Sequence, residues 1–256
     1  MSVINTSVSS LNAASALAIN ERNLSTAMER LSTGKRINSA KDDAAGQGIA
    51  SRMTAQIRGL DQAVRNANDG ISMLQTADGA MEEVSNMLQR MRELAVQSSN
   101  DTNTSADTAA LSVEFAALSS EIKRIDSDST WNSMTIFDVG AITFQVGANS
   151  GDVVSVSIEV LSLTGSITDI GKIDTDIDYI NTARSALGAA INRLTYASNN
   201  ALSISTNTSA SRSRIVDTDY AKTSAELART QIVQQAATAM LAQANQSSQS
   251  VLALLK

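Results

Sequence analysis

The residue types that most often carry out acid–base or metal chemistry are absent from this chain or stand without partners. The 256 residues include no His and no Cys, which removes the commonest general base, thiolate nucleophiles and the usual zinc ligands. Ser-x-x-Lys spacing occurs at Ser32 with Lys35 and at Ser120 with Lys123. Neither the Ser-Asp-Asn nor the Lys-Thr-Gly motif of Ser–Lys enzymes accompanies it. We therefore predict that the chain is not an enzyme and carries no cofactor.

Two further groups could suggest a metal site, but each has a simpler interpretation. The run Lys41-Asp42-Asp43 lacks the ligand pattern of a calcium loop, so we interpret it as a solvated turn. Methionines recur at helical spacing and fit helix packing better than metal binding, because a flexible thioether fills irregular gaps. They are Met53, Met73, Met81, Met87 and Met91.

Charge and hydropathy exclude two classes of partner. The formal net charge is −6 and the sequence pI is about 4.7, so non-specific electrostatic binding to nucleic acid is not expected. No window approaches about 18 consecutive apolar residues, so we expect no membrane span. The N-terminus also lacks the basic and apolar regions of a cleaved secretory signal, and we expect export, if it occurs, to use another route.

Five stretches have apolar residues spaced three, four or seven positions apart, a pattern typical of amphipathic helices. The longest would extend about 65 Å at about 1.5 Å per residue and favours coiled-coil-like packing. Asp69-Gly70 and Asp78-Gly79 are break signals within it, but the spacing keeps its phase, so we predict one helix. The absence of Pro suits such lengths. The stripes run over residues 4–31, 53–95, 111–125, 173–201 and 233–254.

Polar segments predict where these helices end. Gly34 follows the first stripe and suits a left-handed C-cap. Residues 38–48, 98–106 and 211–219 are expected to be irregular connectors. Asp107 or Thr108 is expected to cap the helix that follows the second of them.

The hydrophobic period changes to two in the middle of the chain. Ile142, Phe144 and Val146 alternate with polar residues, as do the apolar residues from Val154 to Val160. A Gly-containing segment, residues 147–151, separates the two runs, which predicts a β-hairpin. The expected fold is mainly α: a long coiled-coil-like helical bundle with a small β-hairpin region and paired N- and C-terminal helices.

Both chain ends are nearly free of charge. Met1–Asn20 carries no charged side chain, and Gln231–Lys256 carries one, on Lys256. Ordering each residue costs about 1–2 kcal/mol of backbone entropy, whereas each large apolar side chain of the C-terminal stripe contributes about 1.5–3 kcal/mol when fully buried. One partner helix would hardly offset that cost. We predict that both ends are mobile in the monomer and become helical on assembly.

Assembly through these ends would join copies head to tail, and a heterologous contact that does not close on itself produces a helical filament. The residues then predicted to carry subunit assembly are the large apolar residues of the two stripes. They are Ile4, Val8, Leu11, Leu24, Leu31, Val233, Met240, Val251 and Leu254.

Several long motifs closely resemble bacterial flagellin. In the N-terminal third these are LSTGKRINSAKDDAAG at residues 31–46, RNANDGIS at 65–72 and LQRMRELAVQS at 88–98. In the C-terminal third they are SRSRIVDTDYA at residues 211–221, QQA at 234–236, MLAQANQ at 240–246 and VLALL at 251–255.

The resemblance implies a division of the chain into two parts. Residues 1–43 and 216–256 would form the terminal helices of the inner filament core, and residues 44–215 would form an outer core of helical bundle and β-hairpin. Flagellins usually carry exposed domains between the hairpin and the next long helix. Residues 160–173 join those parts almost directly, so the chain is similar to a short flagellin without the variable outer domains.

The resemblance also implies a function, a location and partners. The chain would be a structural subunit of the extracellular flagellar filament used for motility, exported by the flagellar type III pathway. Its partners would be copies of itself, an export chaperone that shields the C-terminal helix, and the cap and hook–filament junction proteins. A host partner would be Toll-like receptor 5, whose site would coincide with an axial subunit contact. The matching residues are Gln89, Arg90, Leu94 and Glu114.

Two alternatives remain at this point. A hook–filament junction protein shares the terminal helical organisation, and it would form a short capped stack instead of a long polymer. A soluble coiled-coil binding module would form a discrete dimer.

Overall fold

The computed structural model describes residues 7–137, 140–158 and 165–253, with side-chain surroundings up to residue 246. The fold is mainly α with a small β region, as expected, and this region contains two antiparallel hairpins. The helices are α1 (Val8–Thr33), α2 (Ala44–Ser98), α3 (Ser105–Asp128), α4 (Ile170–Val216) and α5 (Tyr220–Ala253). The strands are β1 (Thr130–Trp131), β2 (Met134–Thr135), β3 (Gly140–Gln145) and β4 (Val153–Ile158).

The chain forms two compact units. Unit 1 consists of residues 1–54 and 208–256, and unit 2 consists of residues 55–207. The divisions therefore fall within α2 and within α4. Unit 1 contains α1 and α5, whereas unit 2 contains α3 and both hairpins.

Unit 2 is built around a continuous apolar core contributed by α2, α3, α4 and the strands. The core residues of α2 step by three and four positions, which keeps them on one face of a single unbroken helix. Met73, Met81 and Met91 are each no more than 3% exposed, in agreement with their interpretation as packing residues. The largest fully buried side chains are Phe137, Leu74, Met81, Leu88, Met91, Leu94, Ile122, Ile136, Ile158, Ile173, Ile180 and Leu187.

The predicted hairpin is present and packs against this core. β3 pairs with β4 from Gly140 opposite Ile158 to Gln145 opposite Val153, and alternate residues of β4 are buried. Gly70 of α2 lies beneath it: a Cβ atom there would stand 2.8 Å from Cδ1 of Phe144. Gly70 is thus a helical residue required for close approach of the hairpin, and it does not break α2. Val160 lies outside the described residues.

Unit 1 pairs α1 with α5. Gly34 ends α1 with φ of 71°, and its N–H donates to the carbonyl of Arg30 at 2.9 Å, so the predicted left-handed cap is confirmed. Beyond it, Lys35 pairs with Asp217 as an isolated antiparallel bridge. The N–H of Arg36 donates to the carbonyl of Val216 at 2.6 Å.

Three predicted boundaries were wrong. The connector expected over residues 38–48 ends at Asp43, because the Asp43 carboxylate accepts the N–H of Gly46 at 2.8 Å and supports a helix start at Ala44. The connector expected from Ser211 is helical as far as Val216. The cap of α3 is Thr104, and Asp107 completes a capping box from the third helical position. The short hairpin β1–β2 had no periodic signal.

Candidate functional site

The residues considered for chemistry are engaged in local structure. The Asp42 carboxylate accepts the N–H groups of Asn38 at 3.1 Å and Ser39 at 3.0 Å, together with the Ser39 hydroxyl. These bonds, led by the backbone of Ser39, hold the pKa of Asp42 below its usual value. Ser120 donates its hydroxyl to the carbonyl of Ala116 within α3. Among the described residues, no three His, Cys, Asp or Glu side chains are arranged to hold a metal ion.

In unit 1, the more buried residues of α1 and α5 form a seam with heptad spacing. The seam positions are Ser10, Ala13, Leu17, Asn20, Leu24, Ala27 and Leu31 on α1, and Thr223, Leu227, Thr230, Gln234, Ala237, Leu241 and Ala244 on α5. Steps of three and four along both helices are those of coiled-coil packing. Two of the predicted assembly residues, Leu24 and Leu31, therefore lie on the seam within one chain.

A buried hydrogen bond lies near the middle of the seam. Nδ2 of Asn20 donates to the carbonyl of Thr230 at 2.8 Å, and these residues are only 7% and 2% exposed. The Thr230 hydroxyl donates back to the carbonyls of Glu226 and Leu227. The seam is thus partly polar, and a search for apolar stripes alone does not find this contact.

Other large apolar residues of the two helices point away from the seam. Val8 and Leu11 on α1 are 55% and 60% exposed, and Val233 and Met240 on α5 are 43% and 66% exposed. Ile19, Met28 and Ile232 are exposed as well. We call these seven exposed apolar residues the outer rows. Ile4 and Leu254 lie outside the described residues, as does the side chain of Val251.

In unit 2, the receptor and axial-contact residues suggested by the resemblance lie on α2 and α3. Nε of Arg90 donates to Oε1 of Glu114 at 3.0 Å, and Nη1 donates to Oε2 of Glu93 at 2.9 Å. The bonds to Glu93 and Glu114 raise the pKa of Arg90. Gln89 is exposed. This exposed group, Gln89, Arg90, Glu93 and Glu114, is called the Arg90 patch below.

Leu94, expected in the same site, is 1% exposed and belongs to the core of unit 2. It therefore offers no surface to a partner. Its spacing of three from Met91 already placed it on the buried face of α2. Glu93, in contrast, was not among the expected site residues, although its spacing of three from Arg90 on a helix is that of an ion pair.

None of the described helices contains a stretch long and apolar enough to cross a membrane. Residues 4–140 match the bacterial flagellin N-terminal helical region, and residues 170–255 match the bacterial flagellin C-terminal helical region. The flagellin of Halalkalibacterium halodurans is 46% identical over 271 aligned residues, which cover 99% of this chain and 100% of that protein.

Matches to longer flagellins cover about half of the chain. Flagellin A of Vibrio cholerae is 52% identical over 53% of this chain, which is 36% of its own length. Flagellin of Salmonella typhimurium is 52% identical over 52% of this chain and 27% of its own length.

A solved structure agrees with the sequence matches. The crystal structure of Bacillus cereus flagellin superposes with a TM-score of 0.50 at 32% identity, and it covers 54% of this chain and 88% of that one. Since two family regions together span most of the sequence and a relative of equal extent is nearly half identical, the chain belongs to the bacterial flagellin family and is a structural subunit of the flagellar filament, not an enzyme.

Proposed function

We propose that unit 1 is the polymerising part of this filament subunit, and that the outer rows of α1 and α5 bind other copies of the chain. The observation that carries the proposal is the exposure of Val8, Leu11, Val233 and Met240 on helices whose seam is already occupied. Each buried apolar side chain contributes about 1.5–3 kcal/mol. Burial against surrounding copies therefore supplies the stabilisation that one partner helix does not. Ile4, Val251 and Leu254 are also proposed to take part in subunit assembly.

The inner and outer core of the filament follow from this assignment. Residues 1–43 and 216–256 form the inner core, and residues 44–215 form the outer core. In this proposal the outer rows meet a different surface of the next copy, which makes the contact heterologous and lets growth continue as a helix. This favours a long polymer over the short stack of a hook–filament junction protein and over a discrete coiled-coil dimer.

The remaining partners rest on membership of the flagellin family. An export chaperone covers α5 before assembly, since exposed apolar rows would otherwise promote premature association. The chain leaves the cell through the flagellar type III pathway. The cap protein and the junction protein lie at the two ends of the filament. The Arg90 patch serves an axial contact between copies and is recognised by Toll-like receptor 5 of a host, with Leu94 as its internal support.

Electron microscopy of purified monomer, with and without short filament seeds, tests the polymerising role. We expect long tubular filaments from the full chain, and none from a variant lacking Gln231–Lys256. A full-length variant Met240→Asp, which keeps every other residue, should elongate seeds much more slowly. A matched change at an exposed apolar residue of unit 2, Met134→Asp, should not slow elongation. Short capped stacks from the full chain would favour the junction protein, and discrete particles would favour the binding module.

Receptor signalling by purified monomer tests the Arg90 patch. The variant Arg90→Ala/Glu114→Ala should reduce signalling, because it removes both sides of an exposed pair joined at 3.0 Å. Arg124→Ala/Glu121→Ala removes a comparable exposed pair on α3 and should signal normally. Equal signalling by the two variants would reject this site. Leu94 is not substituted, since truncating a buried leucine would destabilise unit 2 itself.

A further inference from the structure

Unit 1 contains a polar cleft at the end of α1 and the start of α5. It has a volume of about 550 Å³, and its walls come from residues 23–36 and 214–226. Four cationic side chains line it, and we call it the arginine cleft. They are Arg30, Arg36, Arg214 and Lys222.

The acidic residues of the cleft leave these cations unpaired. Asp217, Asp219 and Glu226 also line it, but no cation–carboxylate distance within the cleft is 4.0 Å or shorter, because all ion pairs among the described residues lie in unit 2. The carboxylate of Asp219 accepts the N–H groups of Ala221 and Lys222 at the start of α5. It is therefore already engaged with the backbone.

One donor in the cleft is both buried and unsatisfied. Nε of Arg30 is inaccessible to solvent and has no hydrogen-bond partner. A buried polar atom without a partner is uncommon and costs free energy. Among the other cations, only Arg36 has a recorded side-chain bond, from Nη2 to the carbonyl of Ile215 at 2.5 Å. The cleft thus offers guanidinium and ammonium donors, and one of them lacks the acceptor that burial requires.

The two units of the chain differ in the sign of their charge. Unit 1 has 11 Lys and Arg against 7 Asp and Glu, a formal charge of +4. Unit 2 has 9 against 19, a formal charge of −10. Opposite charges favour and orient contacts between unit 1 of one copy and unit 2 of another.

We propose that the arginine cleft receives carboxylate side chains from unit 2 of a second copy of the chain. An incoming Asp or Glu accepts two parallel hydrogen bonds from a planar guanidinium of the cleft. Lys222 and Arg214 add positive charge to the lining. This assignment rests on the proposed polymerisation, and it adds a polar contact that sets which copies meet and how they are oriented.

Seeded elongation of full-length variants tests the cleft against a charge-matched control. Arg30→Gln/Lys222→Gln removes one cation from α1 and one from α5 at the cleft. Arg22→Gln/Arg229→Gln removes one from each of the same helices outside it. We expect the critical concentration for elongation to rise about tenfold in the cleft variant relative to the control, the change that corresponds to about 1.4 kcal/mol. Equal critical concentrations in the two variants would overturn the proposal.

Crosslinking identifies the source of the carboxylate. Filaments assembled from a mixture of ¹⁴N- and ¹⁵N-labelled chains are treated with a carbodiimide, which joins an amine to a carboxylate with loss of water. We expect Lys222 joined to an Asp or Glu within residues 55–207, in peptides that combine both labels. Crosslinked peptides that never combine both labels, or Lys222 joined only to Asp217, Asp219 or Glu226 of its own chain, would overturn the assignment to a second copy.

A free anion is the other possible occupant of the cleft, and buffer composition distinguishes it. Elongation is compared in chloride and in sulfate at equal ionic strength. A cleft-specific defect present in both buffers supports a carboxylate from a second copy, whereas a defect seen only in sulfate would assign the cleft to an inorganic anion and reject the proposal. If the unmodified chain fails to elongate seeds, the proposed function fails and this inference with it. If the unmodified chain elongates seeds and the two variants have equal critical concentrations, only the cleft assignment fails.

Discussion

Unit 2 forms ion pairs and a large apolar core within itself, whereas the described part of unit 1 forms neither. Every ion pair among the described residues lies in unit 2, and so does the large apolar core. In the described part of unit 1, the buried apolar side chains are Ala27, Ile37 and Ala50, while the outer rows and the arginine cleft are open. Both units leave large apolar side chains exposed, so the difference lies in what each unit buries.

The comparison separates folding from assembly within one chain. A unit with a closed core holds its structure in the monomer, because its burial is internal. A unit with open apolar rows and unpaired cations gains stability from neighbours, and its apparent stability then depends on the concentration of other copies. Unit 2 is the part expected to fold first, and unit 1 the part expected to be completed by polymerisation.

Amide hydrogen exchange on the monomer should show the largest difference between the units. Amides around Leu187 in the core of unit 2 should exchange several orders of magnitude more slowly than those around Ala237 in α5, since local opening costs little where few side chains are buried. In filaments, the amides of residues 231–253 should become protected. Slow exchange of α5 in the monomer would reject the prediction that the ends order on assembly.

Truncation of one large apolar side chain in each unit sharpens the contrast. Leu187 is 1% exposed and Met240 is 66% exposed. Leu187→Ala should lower the free energy of unfolding of the monomer by about 2–5 kcal/mol, measured by denaturant titration. Met240→Ala should change it by less than about 0.5 kcal/mol but raise the critical concentration for elongation. The opposite pattern would mean that unit 1 is also internally stable.

The capping box of α3 provides a smaller effect confined to unit 2. The backbone N–H of Asp107 donates to the Thr104 hydroxyl oxygen at 3.2 Å, and the N–H of Thr104 donates to the Asp107 carboxylate at 2.9 Å. Thr104→Ala should destabilise the monomer by about 1 kcal/mol. The rate of seed elongation should not change when samples with the same folded fraction are compared. Chemical denaturation and seeded elongation of the same samples measure the two effects.

Acid should remove the contribution of the same box. Hydrogen bonds from the hydroxyl and the backbone of Thr104 lower the pKa of Asp107 in the folded chain. A carboxyl whose pKa is lower in the folded chain stabilises the fold at pH values above its unfolded pKa of about 3.9. This stabilisation is lost as the pH falls through the folded pKa. The stability difference between the wild type and Asp107→Asn should therefore be present at neutral pH and shrink below about pH 4. A constant difference would show that the carboxylate charge does not contribute.

The ion pairs of one half-buried arginine should have the smallest effect. Arg184 is 2.9 Å from Asp78 and 3.7 Å from Glu82, and its side chain is 31% exposed. Arg184→Gln should cost less than about 1 kcal/mol, and the loss should decrease with added salt. Arg193→Gln on the same helix α4 is the control, since no ion pair involves it. A larger loss that salt does not change would indicate a packing role for the Arg184 side chain.

Periodicity predicted the elements well because it reports a property of single helices and strands. The 3–4 spacing correctly carried α2 through Asp69-Gly70 and Asp78-Gly79, and alternation located the β3–β4 hairpin. Helix ends were less accurate, since they depend on individual hydrogen bonds such as that from Gly46 to Asp43. No local pattern signals the fit of Phe144 over Gly70, which joins residues 74 positions apart only after folding.

The candidate surfaces followed the same rule. The uncharged chain ends predicted that α1 and α5 take part in assembly. Spacing alone did not separate the seam from the outer rows, because adjacent rows of one helix are both apolar. The Arg90–Glu114 contact and the arginine cleft join distant segments, and only the fold reveals them. Leu94 was assigned through resemblance to other flagellins, and its burial shows that a shared motif can include residues with a structural role.

The bond from Asn20 to the carbonyl of Thr230 bears on the fidelity of growth. A seam at heptad spacing keeps its pattern after a slide of seven positions, but a buried amide tolerates only those alignments of the two helices that give it an acceptor. A preference of about 1 kcal/mol makes the observed alignment about fivefold more populated than one in which the amide has no acceptor. Because a polymer repeats its subunit, this one amide is used again at every addition, and an error that is minor in one molecule would otherwise accumulate along the whole filament.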